Sequence, residues 1–369
     1  MSHGVTDEIT ARMAWARLAE PTDSVAVALI ERFGYLDAFE VAARGGLSPS
    51  GVKVDRFTAR LTDLDLERDR EVCARLGVRT LVPGDAEWPE ALDDLEIPPW
   101  CLWVRGPLDL SEVSDRSVAI VGARASTPYG NHMAAELASG TGLRGFTIVS
   151  GAAFGIDAAA HRAALAAEVP TVAVLAGGVD RPYPPAHTDL IEQIARVGVV
   201  VSEVPPASSP TRPRFLARNR LIAAMTTGTV VVEAALRSGS LRTLRDAATI
   251  GRPVAVVPGP VTSMASAGCH QAVRDEGATL VTDAGEVVDL LGEIGGADLA
   301  PRKRGPERPE DQLDPQPHLV WSTLAPFRSK TVEEITIQAG LSAREVLGAL
   351  GDLQSRGMAE LRLDGWGRA

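Results

Sequence analysis

Seven short apolar runs recur between residues 117 and 282: SVAIVG, FTIVSG, TVAVLAGG, GVVVSE, GTVVVEA, RPVAVVPG and ATLVT, each followed by a glycine-containing turn and then a helical pattern. A strand that is apolar at successive positions needs cover on both faces. Strands of this kind, alternating with helices, form a parallel sheet wrapped on two sides. Residues 84–295 are therefore expected to form an α/β domain with a doubly wound, extended Rossmann-like parallel sheet. At 369 residues the chain is long for one core, which leaves room for smaller domains on either side.

Those flanking segments read differently. Residues 1–83 contain amphipathic helical stretches such as EITARMAWARLAE and SVAVALIERFG, broken by Pro21 and by GGLSPSG, and predict a small helical domain. Residues 76–106 place strand-like pieces around Pro83, Gly84 and the Pro98–Pro99 pair and lead into the sheet. Residues 296–316 are rich in proline and charge and poor in aliphatics, as a linker is. Residues 317–369 read as helix, helix, a turn at Ala339–Gly340, helix and a short hairpin, the outline of a winged helix.

The rest of the composition excludes several classes. No run of about 18 apolar residues occurs, and the N-terminus lacks a basic region followed by an apolar one, so no membrane insertion or export is expected. Cys73, Cys101 and Cys269 are scattered and form no CxxC pair, which indicates neither a disulfide framework nor a metal site and suits a reducing cytoplasm. The formal net charge is −11, which disfavours general adhesion to nucleic acid but leaves local patches free to decide contacts.

One such patch is PTRPRFLARNRLIA at 210–223, where Arg212, Arg214, Arg218 and Arg220 surround Phe215 with no acid among them. Arginine forks bind phosphate oxygens and an aromatic face stacks on a base. In doubly wound sheets ligands sit outside the carboxyl ends of the strands, and four turns there are small or glycine-rich. VAIVGARASTPYG offers Gly122, Arg124 and a helix starting near Gly130, whose free backbone N–H groups suit an anion. VSGAAFGIDAAAH offers Ser150 and Gly151, with Asp157 placed to cap a helix and His161 four residues on. LAGGVDRPYPPAH ends in a rigid proline turn, and RSGSLRT places Ser238, Gly239 and Ser240 before a helix. The dinucleotide pattern GxGxxG is absent, which argues against NAD or FAD.

Taken together, VAIVGAR, VSGAAFGIDAAAH, AVLAGGVDRPYP, SEVPP, FLARNRLIA, VVVEAALRSGSLRT, GRPVAVVPG and SAGCHQAVRDEGA resemble the DNA-processing protein A family, DprA or Smf, in order and spacing. The N-terminal segment resembles that family's SAM-like domain and the tail its winged helix. The resemblance implies a homodimeric single-stranded-DNA-binding protein that protects incoming DNA in natural transformation and loads a RecA-type recombinase, with no cofactor, no metal and no enzymatic turnover. The DNA-binding residues it implies are Gly122, Arg124, Ser150, Gly151, Arg212, Phe215, Arg218, Asn219 and Arg220, with Ser238, Gly239 and Ser240 lining the pocket. Ala123 stands where the family has Ser or Thr, and His187 and His270 stand where it has Asn.

Two other classes fit parts of the pattern. A nucleoside-monophosphate phosphoribohydrolase would share the layout, but its PGGxGTxxE loop corresponds here to RSGSLRTLRD, in which only Asp246 approximates the acid. A sequence-specific regulator would use the helix around AREVLGALGDLQSRG, whose two arginines are balanced by Glu345 and Asp352.

Overall fold

The computed structural model describes residues 3–49, 51, 53–292 and 308–369. The chain divides into two compact units, Met1–Ala300 and Pro301–Ala369. The first is built on a nine-stranded sheet: β1 (Val78–Leu81), β2 (Leu102–Arg105), β3 (Ser117–Val121), β4 (Thr147–Ser150), β5 (Thr171–Val174), β6 (Val199–Ser202), β7 (Gly228–Val231), β8 (Val254–Val256) and β9 (Thr279–Leu280). They lie in the order β1-β2-β6-β5-β4-β3-β7-β8-β9. From β6 to β9 every neighbouring pair is parallel. Strands β3 to β8 are buried at every position, as apolar strands covered on both faces must be.

The sheet is not parallel throughout. β1 pairs antiparallel with β2, and β2 with β6. The connection from β1 to β2 holds only a 3-10 turn, Glu90–Asp94, and no crossover helix, so the chain turns back beside itself. β1 also lies ahead of residue 84, where the α/β domain was expected to begin.

Two groups of helices cover the sheet. Pro128–Gly142, Ile156–Ala166 and Ala284–Leu291 bring Leu137, Ile156 and Val287 onto Ile120, Ile148 and Val230. Arg212–Ala224, Ser240–Thr249 and Ala267–Asp275 bring Leu221, Leu244 and Cys269 onto Val121, Val231 and Val256. β3 to β6 are laid down in one direction and β7 to β9 in the other, so the strand order reverses between β3 and β7. Loops leaving the carboxyl ends of such a pair diverge to opposite faces and leave a crevice between them.

The N-terminal helices Glu8–Leu18, Ser24–Arg44, Asp55–Thr58 and Leu66–Leu76 precede this sheet. Trp15 is fully buried among them, edge-on to Phe57 at 5.3 Å. Their apolar cluster continues into Trp103, Leu175 and Ile191, so the helices and the sheet share one core. Polar ties cross the same boundary: Arg12 donates to the Trp100 carbonyl at 3.1 Å, and Arg17 to the Pro206 carbonyl at 2.6 Å.

Of the proline-rich stretch 296–316, residues 296–307 lie outside the described residues. The remainder holds a 3-10 turn, Pro309–Gln312, and the start of the helix Pro315–Thr323. The second unit continues with the helices Val332–Ala339 and Ala343–Ser355 and a hairpin of β10 (Ala359–Arg362) and β11 (Gly365–Arg368). Val320, Leu324, Ile335, Val346, Leu350 and Leu353 form its own core. Gly340 ends the middle helix at φ +65, a left-handed conformation that glycine adopts without a Cβ penalty.

Candidate nucleic-acid interface

An open cleft of about 480 Å³ lies at the reversal of strand order. The loop after β3 contributes Gly122 and Arg124, the segment after β4 Ala153 and, in the first turn of its helix, Asp157, and the segment after β7 Arg237, Ser238, Gly239 and the helix-opening Ser240. The helix Arg212–Ala224 adds Phe215, Arg218 and Asn219. Eight residues expected from the sequence are thus brought together: Gly122, Arg124, Phe215, Arg218, Asn219, Ser238, Gly239 and Ser240.

Close approach of the loops explains their glycines. A Cβ on Gly122 would lie 2.6 Å from Ile156 Cγ1, and one on Gly155 would strike the Ala123 carbonyl. Gly155 also has φ +78. Gly151 lies beside the Arg218 guanidinium, which a Cβ would displace.

Arg218 is the buried cation of the cleft. It is 4% exposed, and its Nη1 donates to the Val174 carbonyl at 2.5 Å. Burial pulls its pKa down to about 10, partly opposed by the Asp157 carboxylate, so it stays charged near neutrality. Among the described residues its buried Nε has no hydrogen-bond partner. Asp157 accepts from the Gly151 and Ala153 N–H groups at 3.2 and 3.4 Å. Burial raises its pKa against the attraction of Arg218. His161 lies behind them, with Nδ1 2.8 Å from Thr171 Oγ1 and its pKa pushed down to about 3 by burial. No hydrogen bond joins Asp157 to His161 among the described residues. Asp157 does not cap its helix either, whose N-cap is Gly155 without a side-chain bond; its carboxylate ties the preceding loop instead.

The outer wall carries exposed cations. The Arg124 guanidinium lies 4.9 Å from the centre of the Phe215 ring, and Tyr183 is tilted against that ring at 5.7 Å. Phe215 is half-buried and belongs to none of the apolar clusters. Among the described residues no carboxylate pairs with Arg124 or Arg237. At the start of the helix Ser240–Thr249, Ser238 Oγ lies 2.8 Å from Ser240 Oγ, and Asn219 Nδ2 donates to the Gly239 carbonyl at 3.3 Å. The backbone at Gly239 has open space around it.

Four expected residues stand outside the cleft lining. Ser150 is fully buried and donates to the Ile120 carbonyl at 2.6 Å, and Gly151 sits under Arg218. Arg212 is exposed at the start of its helix. Arg220 turns the other way, into an ion pair with Glu203. The helix start after β3 also differs from expectation. The helix begins at Pro128, its Thr127 N-cap accepts from Gly130 N–H at 3.1 Å, and Glu233 accepts from both the N–H and the hydroxyl of Thr127. A carboxylate of the protein itself occupies the place where a bound anion was anticipated. Sequence reasoning also passed over Arg237 and Tyr183, although both stand in loops it quoted. Arg237 directly precedes the SGS turn, and Tyr183 stands inside the proline turn of LAGGVDRPYPPAH.

A family profile described as DNA recombination-mediator protein A matches residues 79–292. A DprA-named protein of Mycobacterium tuberculosis is 43% identical over 372 residues, spanning 97% of this chain and 94% of the relative. The crystal structure of DNA processing protein A from Streptococcus pneumoniae aligns with a TM-score of 0.63 at 30% identity, covering 77% of this chain and 98% of that one. A structure of DNA processing protein A from Helicobacter pylori, described for its single-stranded DNA binding mode, aligns with a TM-score of 0.52 at 30% identity over 58% of this chain and 95% of that one.

Proposed function

The chain belongs to the DNA recombination-mediator protein A family, and from that membership we propose that it binds single-stranded DNA in the cleft between β3 and β7. On this reading it protects incoming DNA in natural transformation and loads a RecA-type recombinase, working as a cytoplasmic homodimer without cofactor or turnover. Among the described residues no helix is long and apolar enough to cross a membrane.

The observation that carries the reading is the pairing, in one cleft, of cations without carboxylate partners and an accessible aromatic ring. Among the described residues Arg124 and Arg237 remain uncompensated in a chain of net charge −11, and the Phe215 ring centre lies 4.9 Å from the Arg124 guanidinium and 6.0 Å from that of buried Arg218. Guanidinium forks suit phosphate oxygens, and a ring suits an unstacked base. A single strand presents both at once, whereas a duplex hides its base faces. Two carboxylates that follow β7 are already engaged, Glu233 by Thr127 and Asp246 by Arg242 at 2.6 Å, and neither lines the cleft. That weighs against the hydrolase reading.

The test is a gel-shift of the full chain with single-stranded and blunt duplex oligonucleotides of equal length across a salt series. The single strand binds more tightly, and its log affinity falls with log salt by about 0.7 per phosphate contact. Equal affinity for the duplex would refute the proposal.

A further inference from the structure

Exposed aromatic rings are concentrated at one edge of this molecule. Four aromatic side chains are exposed among the described residues: Tyr129, Phe154, Tyr183 and Phe327. Three of them, Tyr129, Phe154 and Tyr183, stand at the carboxyl edge of the large sheet, beyond β3, β4 and β5. Phe154 follows Ala153 of the cleft wall, Tyr129 opens the helix that follows the β3 loop, and Tyr183, on a loop outside the cleft lining, meets the cleft residue Phe215. A ring left exposed beside a binding cleft offers a face to a flat ligand.

Tyr183 is the best placed of them. It is 44% exposed, and its ring centre lies 5.7 Å from that of Phe215 with the planes inclined at 57°. The loop that presents it is anchored at several points. Gly178 N–H donates to the Ser208 carbonyl at 3.0 Å, and Ala207 N–H to Asp180 Oδ1 at 2.8 Å. His187, at the far end of the loop, is buried, with Nδ1 3.0 Å from the Ala152 carbonyl and its ring edge-on to exposed Phe154 at 4.7 Å. The backbone on both sides of Tyr183 is therefore anchored before any ligand arrives, so little ordering of the loop is needed on binding.

We propose that Tyr183 is a second base-stacking position, taking the nucleobase next to the one held on Phe215 as a single strand runs along the carboxyl edge from β7 and β3 toward β5. The inference rests on the proposed single-strand binding and extends it by naming a subsite outside the phosphate-facing loops. On this proposal Tyr183 acts through its ring face, and its hydroxyl is dispensable.

The experiment compares the full-length wild type with Tyr183→Ala and Tyr183→Phe on an oligo-dT strand and on an abasic strand of the same length, over a salt series, with melting temperatures measured alongside. Tyr183→Ala weakens oligo-dT binding by about 5- to 150-fold with no change in salt slope. It leaves abasic binding near the wild-type value, so the preference for dT over abasic shrinks. Tyr183→Phe keeps the preference. A Tyr183→Ala protein of unchanged melting temperature that retains the wild-type preference overturns the subsite alone, as does a loss equal on both strands. A wild type that binds neither strand overturns instead the reading on which the subsite depends.

Discussion

Glu203, just past the end of β6, and Arg220, on the helix Arg212–Ala224, form an ion pair in which the two side chains are only 5% and 12% exposed. The pair lies on the side of that helix facing the N-terminal segment, beside Ala16, Ala19 and Trp100, while Phe215, Arg218 and Asn219 face the cleft. Arg220 thus holds the helix that carries the cleft residues. Removing one partner of a buried pair leaves an uncompensated charge, at a cost of about 3–5 kcal/mol. Arg220→Ala should lower the melting temperature markedly and leave the salt slope of single-strand binding unchanged. A slope reduced by one contact would put Arg220 on phosphate.

Arg124 and Arg237 should behave in the opposite way. Each is exposed, and neither has a carboxylate partner among the described residues, so replacing either with Ala should change stability by less than about 0.5 kcal/mol. Each should flatten the salt slope by about 0.7 and weaken binding equally across sequences. Unaltered slopes would make both arginines a solvated rim.

For Phe215→Ala the expected signature is affinity without slope. The ring is half-buried against Arg124 and Tyr183 rather than set in a core cluster, so the melting temperature should move little. Loss of base stacking should weaken single-strand binding by about 1–3 kcal/mol. A large fall in melting temperature with intact binding would assign the ring to packing.

His161 gives a pH dependence. Burial holds its folded pKa near 3, below the ordinary histidine value, so the unfolded chain takes up a proton that the folded one refuses. The stability associated with neutral His161 is fully present above about pH 6.5 and is lost as pH falls toward about 3, at up to about 1.4 kcal/mol per pH unit. His161→Asn, which can keep a polar contact to Thr171, should flatten the acid limb of the melting curve between those values. An identical limb in the variant would place the acid sensitivity elsewhere.

Because every cleft residue belongs to the unit Met1–Ala300, a chain ending at Gly292 should keep most of the single-strand affinity and the same salt slope. Loss of binding by such a chain, with its melting transition intact, would move the site to the C-terminal unit.

Much of this arrangement was legible in the chain itself. Runs such as SVAIV and TVAV are apolar at successive positions, which demands cover on both faces and so a parallel sheet with its ligand loops at the carboxyl edge. The glycines and serines at that edge could be read as close backbone approaches, and Arg124, Arg218 and Phe215 do meet in one cleft. The helical period also held a warning about Arg218 and Arg220, which at about 100° per residue stand about 200° apart and cannot face one ligand together. What tertiary structure alone decided was which partner each charged side chain finds. Arg214 reaches Glu20 across 194 positions, Arg220 meets Glu203, and Glu233 fills the helix start at Thr127 that looked ready for an anion. Periodicity reports the face on which a residue lies, because that depends on its immediate neighbours. The counter-charge opposite that face comes from a distant segment, whose position is set only when the sheet closes and the helices pack against it.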